Sequence, residues 1–207
     1  MSSYITLKQL GEYRFEDRRS EFIGYAKPVS DEASAIEFVN AVKKKYPDAK
    51  HWVYAYILRE NSAMRFTDDR EPQGTAGMPV LDSMRKRGIT DAVVVVVRYF
   101  GGVLLGTGGL VHAYTEAASG AINNAAVIKY DLYSSYSINV SYSDYQRINS
   151  IFAECGFIPS DTEYLDTVRI KGDLPSELKD KFISLLSEST AGRAVCEFIE
   201  EKFGYRE

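Results

Sequence analysis

Hydrophobic positions recur along this chain with a period that switches between two and about 3.6, and each switch marks a change of element. Glu21 to Val29 (EFIGYAKPV) mixes aromatic and β-branched residues up to Pro28, which predicts a strand running into a turn. A helix follows, with Ser30 as N-cap, Asp31 and Glu32 in its first turn, and Ala33, Ile36, Val39 and Val42 at helical spacing until Pro47 stops it. His51 to Leu58 (HWVYAYIL) is dense in β-formers, and Met64 to Thr67 is its expected hairpin partner. The run Ala92 to Val97 is continuous rather than alternating, so it reads as a strand covered on both faces in the middle of a sheet. Helices are expected on either side of it: Met78 to Arg87, ended by Gly88, and Leu110 to Ala126, whose alanines and other small residues suit close packing.

Past Lys129 the texture changes. Leu132 to Tyr142 (LYSSYSINVSY) alternates like a strand with one buried face, and Asp144 is placed to cap a helix through Ile148, Ile151 and Phe152 to Gly156. Strands near Phe157 to Tyr164 and Thr167 to Lys171 precede a helix from about Pro175, and Ala194 to Ile199 makes a last strand. The order β-α-β-β-α-β is that of a ferredoxin-like domain. The pattern as a whole predicts an α+β protein of two domains, residues 1–130 and 131–207, with a short linker near Lys129 to Leu132.

Composition narrows the class. Of 207 residues 45% are hydrophobic and 26% charged, enough apolar material for a packed core. Cys155 and Cys196 make no disulfide framework and lie at no zinc-binding spacing, which fits a reducing compartment. The N-terminus reaches charged residues too early for a signal peptide and Val93 to Val97 is too short to span a bilayer, so a cytoplasmic protein without membrane association is expected. The net charge of −4 is unevenly shared: residues 1–130 hold 17 Lys/Arg against 15 Asp/Glu, residues 131–207 hold 8 against 14. The first half is the better candidate to meet an anion, through a local basic surface.

Four groups of residues carry candidate chemistry. The loop Asp68-Asp69-Arg70-Glu71-Pro72-Gln73-Gly74-Thr75-Ala76-Gly77 puts three carboxylates within four residues, a set that suits either a hard cation or a capped, solvated turn in which Arg70 and Gln73 pair internally. The stretch Arg98-Tyr99-Phe100-Gly101-Gly102-Val103-Leu104-Leu105-Gly106-Thr107-Gly108-Gly109 ends a buried strand and leads to a helix. Its five glycines let the backbone approach an anion, or equally permit tight turns and close packing. A P-loop would need lysine where Thr107 stands, and GxGxxG is absent as well. His51 and His112 have no nucleophile or acid at a spacing that completes a triad, so no catalytic residue is assigned. Finally Arg85, Lys86 and Arg87 would make an RNA-binding surface if they converged with Arg98, Tyr99 and Phe100, whereas Lys43 to Lys45 suit the C-terminal end of a helix.

The segments DDREPQGTAGMPVL and VVVVVRYFGGVLLGTGGLVHAYTEA resemble the signature of the YigZ/IMPACT family, and the match extends over most of residues 1–130. The tail from about residue 133 is similar to the ferredoxin-like domain of bacterial members. The resemblance implies a first domain like the fourth domain of elongation factor G and a second like its fifth. Both of those modules face the ribosome, so translation-linked binding of RNA, the ribosome or a translation-regulatory protein is the family expectation, with no cofactor and no resident metal. Eukaryotic relatives modulate the starvation-response kinase by competing for its activator protein. Carried over by position, the family's acidic loop falls on Asp68, Asp69, Glu71, Pro72, Gly74, Thr75, Ala76 and Gly77, and its arginine-glycine stretch on Arg98, Tyr99, Phe100, Gly101, Gly102, Gly106, Gly108 and Gly109. Two positions depart: Arg70 replaces the usual glycine, and His112 the usual arginine. Three hypotheses follow. In one, the two loops form a single binding surface centred on Arg98, contacting RNA phosphates. In the other, Asp68 or Asp69 holds Mg²⁺ or acts as base for phosphoryl transfer at the glycine-rich turn. A regulator acting through the outer face of the C-terminal sheet is a third. The first is the expected one, a binding protein rather than an enzyme.

Overall fold

A two-residue hairpin opens the main sheet. In this computed structural model, which describes residues 3–205, β1 (Ser3–Leu7) is followed by β2 (Gly11–Asp17) and β3 (Ser20–Pro28), paired antiparallel with Asp17 opposite Ser20. Neither β1 nor β2 was visible as a strand in the sequence pattern. Next come α1 (Glu32–Lys45), β4 (His51–Ile57), β5 (Met64–Thr67), α2 (Gly77–Arg85), β6 (Ala92–Tyr99) and α3 (Gly106–Asn124). The sheet order is β2-β3-β6-β4-β5, antiparallel throughout. The helix expected from Ser30 is capped one residue later: the Asp31 carboxylate accepts from the Ser34 N–H at 2.7 Å, while the Ser30 hydroxyl donates to Asp31.

β6 sits in the middle of the sheet and is buried on both faces, as its unbroken valine run requires. Val93, Val95 and Val97 pack with Val39 and Val42 of α1, whereas Ala92, Val94 and Val96 pack with Met84 of α2 and Tyr114 and Ala117 of α3. The period of two then dictates where Arg98 goes: it continues the Val94 and Val96 face, under α3. α3 lies unusually close to the sheet, because a Cβ at Gly24 would overlap the Ala117 carbonyl and one at Gly11 the Ala121 carbonyl. The small residues of α3 therefore do what the sequence suggested.

The chain forms two compact units, residues 4–129 and residues 130 onward. The second contains most of β7 (Val127–Val140), then α4 (Tyr142–Cys155), β8 (Ile158–Tyr164), β9 (Val168–Pro175), α5 (Lys179–Thr190) and β10 (Val195–Gly204). Its strands run in the order β10-β7-β9-β8, all antiparallel. The α+β architecture and the β-α-β-β-α-β order hold. Tyr136, Ile138, Ile148, Phe152, Ile170, Phe182 and Leu186 make the core between the sheet and both helices, and leave the outer sheet face open.

Ser141, not Asp144, is the N-cap of α4, accepting from the Asp144 N–H at 3.2 Å. Asp144 stands in the first turn, 1% exposed, where the Arg193 guanidinium grips both its oxygens at 2.8 and 3.1 Å. Hydrogen bonds from Arg193, opposed by burial and reinforced by Ser141, hold this carboxyl below the usual carboxylate range. A folded-state pKa lowered in this way contributes stability above the unfolded value, about 3.9, and that stability disappears as pH falls through the folded one. The urea midpoint of the second unit, followed by far-UV circular dichroism, is accordingly expected to drop on acidification below about pH 4. Arg193→Ala flattens that dependence; an unchanged profile would show that the pair does not form.

Candidate functional site

The acidic loop is held from both ends. Asp68 accepts from the N–H groups of Gly74 at 2.9 Å, Ala76 at 3.1 Å and Gly77 at 2.8 Å, so its carboxylate closes the loop and caps α2 from a distance. Asp69 accepts from the Trp52 N–H at 2.7 Å, and its carbonyl oxygen accepts from His51 Nδ1 at 2.8 Å. Thr75 donates its hydroxyl proton to the Pro72 carbonyl. These are the capped turn of the sequence reading: Asp68 and Asp69 spend oxygens on backbone N–H donors.

Glu71 is turned inward and 9% exposed. Its Oε1 accepts from Arg98 Nη1 at 2.6 Å and from the Tyr114 hydroxyl at 2.8 Å, with His51 Nε2 at 3.6 Å. Burial first, and then the neighbouring Glu71 charge, push the Tyr114 phenol far above its ordinary value, so it stays a donor. Arg98 is 4% exposed, gives its second terminal nitrogen to the Ser20 hydroxyl at 3.3 Å, and lies 5.4 and 5.5 Å from the ring centres of Phe22 and Phe100. The two predicted loops are thus joined, but from beneath. This corrects the expectation of an exposed Arg98 at the centre of the surface: the strand alternation that buries Val96 buries Arg98 with it.

Other predicted residues separate. Tyr99 points to the opposite sheet face, its ring 6.5 Å from that of Tyr46. Arg85 pairs with Asp82 at 3.5 Å, and Arg87 donates to Asn123 at the far end of α3, roughly 25 Å along the helix from Gly106. Lys86 lies in a shallow groove between α2 and α3 with Gly74, Met78 and Val111. The three basic residues therefore do not converge on Arg98. Arg70 is exposed at φ +71° and donates to the Lys50 carbonyl. His112 is largely exposed, 3.7 Å from Glu116.

What remains at the surface is the glycine-rich turn itself. α3 begins at Gly106 rather than Leu110, so Thr107, Gly108 and Gly109 form its first turn, with no side-chain cap and open space beside Gly108. Phe100 and Leu104 are exposed, Leu104 to 80%. The residues the sequence reading missed stand beside them. Arg18 and Arg19 are the two central residues of the β2–β3 turn, at φ 45° and 65°. Both are exposed and carry no ion pair among the described residues. Arg18 Nη1 donates to the Leu104 carbonyl at 3.4 Å, and Gly101 packs on the Arg19 carbonyl so closely that no Cβ fits. The signal was present in the alternation of Tyr13 and Phe15, which marks a strand ending just before the arginine pair.

Comparison with known proteins agrees with this architecture. The Impact N-terminal domain profile matches residues 18–122, and a domain of unknown function (DUF1949) matches residues 138–193. The IMPACT family member YvyE of Bacillus subtilis is 33% identical over 195 residues, covering 94% of this chain and 90% of that one. The IMPACT family member YigZ of Escherichia coli is 30% identical, covering 90% and 93%. Protein IMPACT of Xenopus laevis is 35% identical over 94 residues, 44% of this chain and 30% of its own. A solved structure described as that of a hypothetical protein superposes with a TM-score of 0.61 at 28% identity, covering 97% and 98% of the two chains.

Proposed function

The chain belongs to the IMPACT family, and from that premise we propose that it is a regulatory binding protein of translation, contacting ribosomal RNA through the glycine-rich turn of its first unit. The observation that supports the reading is the β2–β3 turn. A two-residue hairpin with both central residues at positive φ is normally built from Asn-Gly, because residues with larger side chains are strained there. Here the positions hold Arg18 and Arg19, unpaired and pressed against the start of α3. Strain kept at a surface turn that presents two cations without a carboxylate partner points to an anionic partner. The uncapped N–H groups of α3 lie beside them and add donors for phosphate oxygens. In this reading the protein binds and does not catalyse. Leu104, exposed in the same turn, supports a second reading in which the partner is a translation-regulatory protein.

The test is co-sedimentation with ribosomes and their subunits across a salt series, comparing the parent with Arg18→Asn/Arg19→Gly. The variant relieves both left-handed residues, so it folds with about 1 kcal/mol or more of added stability. Salt-sensitive binding by the parent and its loss in the more stable variant is the expected result. No binding at low salt overturns the RNA reading, and equal binding by both proteins moves the surface away from this turn.

A further inference from the structure

An aromatic ring stands in the glycine-rich turn that electrostatics alone does not use. Phe100 is 46% exposed just past the end of β6, and Val103 and Leu104 are exposed within the next four positions. Single apolar side chains scattered over a surface need no explanation, but three gathered in one turn mark a contact surface. The two cations of the β2–β3 turn stand against it. Arg18 donates to the Leu104 carbonyl, and the Arg19 backbone lies so close to Gly101 that no Cβ fits there.

Phe100 is held in place from three directions. Before it, Tyr99 pairs with Glu21 in the sheet. After it, the Gly101 N–H donates to the buried Ser20 hydroxyl at 3.2 Å, and the same hydroxyl accepts from Arg98 at 3.3 Å. Beneath it, the Arg98 guanidinium lies 5.5 Å from the ring centre, itself fixed by Glu71 and by the buried ring of Phe22. No other ring or cation among the described residues lies against Phe100, and the chain then turns away through Gly102, at φ +82° with open space beside it. The ring is thus a fixed, half-open platform beside two cations that have no carboxylate partner.

An occupant has to bring a flat π-surface and negative charge together. Duplex RNA brings the charge, but its bases are stacked on one another and leave Phe100 nothing to meet. An acidic peptide brings the charge without the flat ring. An unpaired nucleotide brings both, and every base offers a π-face whatever its identity.

We propose that the RNA bound at this turn presents an unpaired nucleotide, its base stacked on Phe100 and its flanking phosphates on Arg18 and Arg19. The inference rests on the ribosome-binding reading and deepens it, because it names a loop or bulge rather than a duplex as the element recognised.

Fluorescence polarisation of the full chain tests it, with a labelled single-stranded oligouridine of about 12 nucleotides and an RNA duplex of the same length as probes. The single strand is expected to bind about tenfold or more tightly than the duplex, although the duplex has the higher charge density. Phe100→Leu keeps an apolar side chain but removes the π-face, and weakens single-strand binding about tenfold. The slope of log K against log salt stays that of the parent, since the phosphate contacts remain. Phe100→Trp restores binding, which separates stacking from a merely structural role. Equal binding of the two probes, or single-strand binding unmoved by Phe100→Leu, overturns the assignment. Failure of both probes to bind also overturns it, and gives Phe100 and Leu104 to a protein partner. Ribosome co-sedimentation keeps the two readings apart. If Phe100→Leu sediments with ribosomes as the parent does, the translation reading stands and this one falls; if the parent binds oligouridine through Phe100 but no ribosome, the reverse holds.

Discussion

Arg98→Ala destabilises the first unit by about 3–5 kcal/mol, the cost of leaving one member of a buried ion pair without the other. The arginine is 4% exposed and its partner Glu71 9% exposed, with only Ser20, Tyr114 and His51 to share the polar contacts. Removing the guanidinium strands a carboxylate beneath α3; Glu71→Gln strands the guanidinium instead and falls in the same range. Replacing both, as Arg98→Met with Glu71→Gln, costs less than either single change, because neither buried charge is then left unpaired. Trp52 is the chain's one tryptophan; its backbone N–H donates to Asp69 of the same loop and its indole N–H to the Tyr46 carbonyl, so its fluorescence follows this unit during urea denaturation. A loss of that size moves the midpoint by about 1–5 M. A shift near zero for Arg98→Ala would mean that the pair is open to water. The same result decides what Arg98 is for: a large loss of stability makes it the tie between the acidic loop and β6, and any loss of ligand binding in the variant then follows from the loop coming free.

The sequence made the frame legible where burial is two-sided or strictly periodic. The valine run of β6 and the alternation of β7 announce themselves, because sheet position and face fully determine which residue types can stand there. β2 escaped notice because one of its faces is charged, with Glu12, Arg14 and Glu16 alternating with Tyr13 and Phe15, in a segment where charged residues come early. Losing β2 meant losing the turn after it, and with the turn Arg18 and Arg19. The site was half legible for a related reason. The glycines and carboxylates were visible as motifs, but whether Arg98 faces solvent or core depends on one step of strand parity at the end of a buried run. Composition contains no trace of that parity; counting alternate residues from Val94 and Val96 does. The start of α3 was placed late because glycines in a first turn look like loop, although an uncapped helix end tolerates them.

Gly101→Ala couples fold and surface in one experiment. A Cβ at residue 101 would overlap both the carbonyl and the Cβ of Arg19, and the Gly101 N–H also donates to the Ser20 hydroxyl at 3.2 Å. Neither neighbour is the free end of a flexible side chain, so the β2–β3 turn must move away from the glycine-rich turn. Forcing a methyl group into such a contact costs about 1–3 kcal/mol. The displacement takes Arg18 off the Leu104 carbonyl and carries both arginines from the first turn of α3. Gly108→Ala is the matched control: the position opens on free space at ordinary helical φ, so the change leaves the turn and its N–H groups in place. The urea midpoint falls for Gly101→Ala and holds for Gly108→Ala, and salt-sensitive ribosome binding follows the same split. Should Gly101→Ala lose stability yet bind ribosomes as the parent does, the arginine turn and the glycine-rich turn would be neighbours of structural consequence only, and the anion-binding surface of the first unit would have to be sought elsewhere.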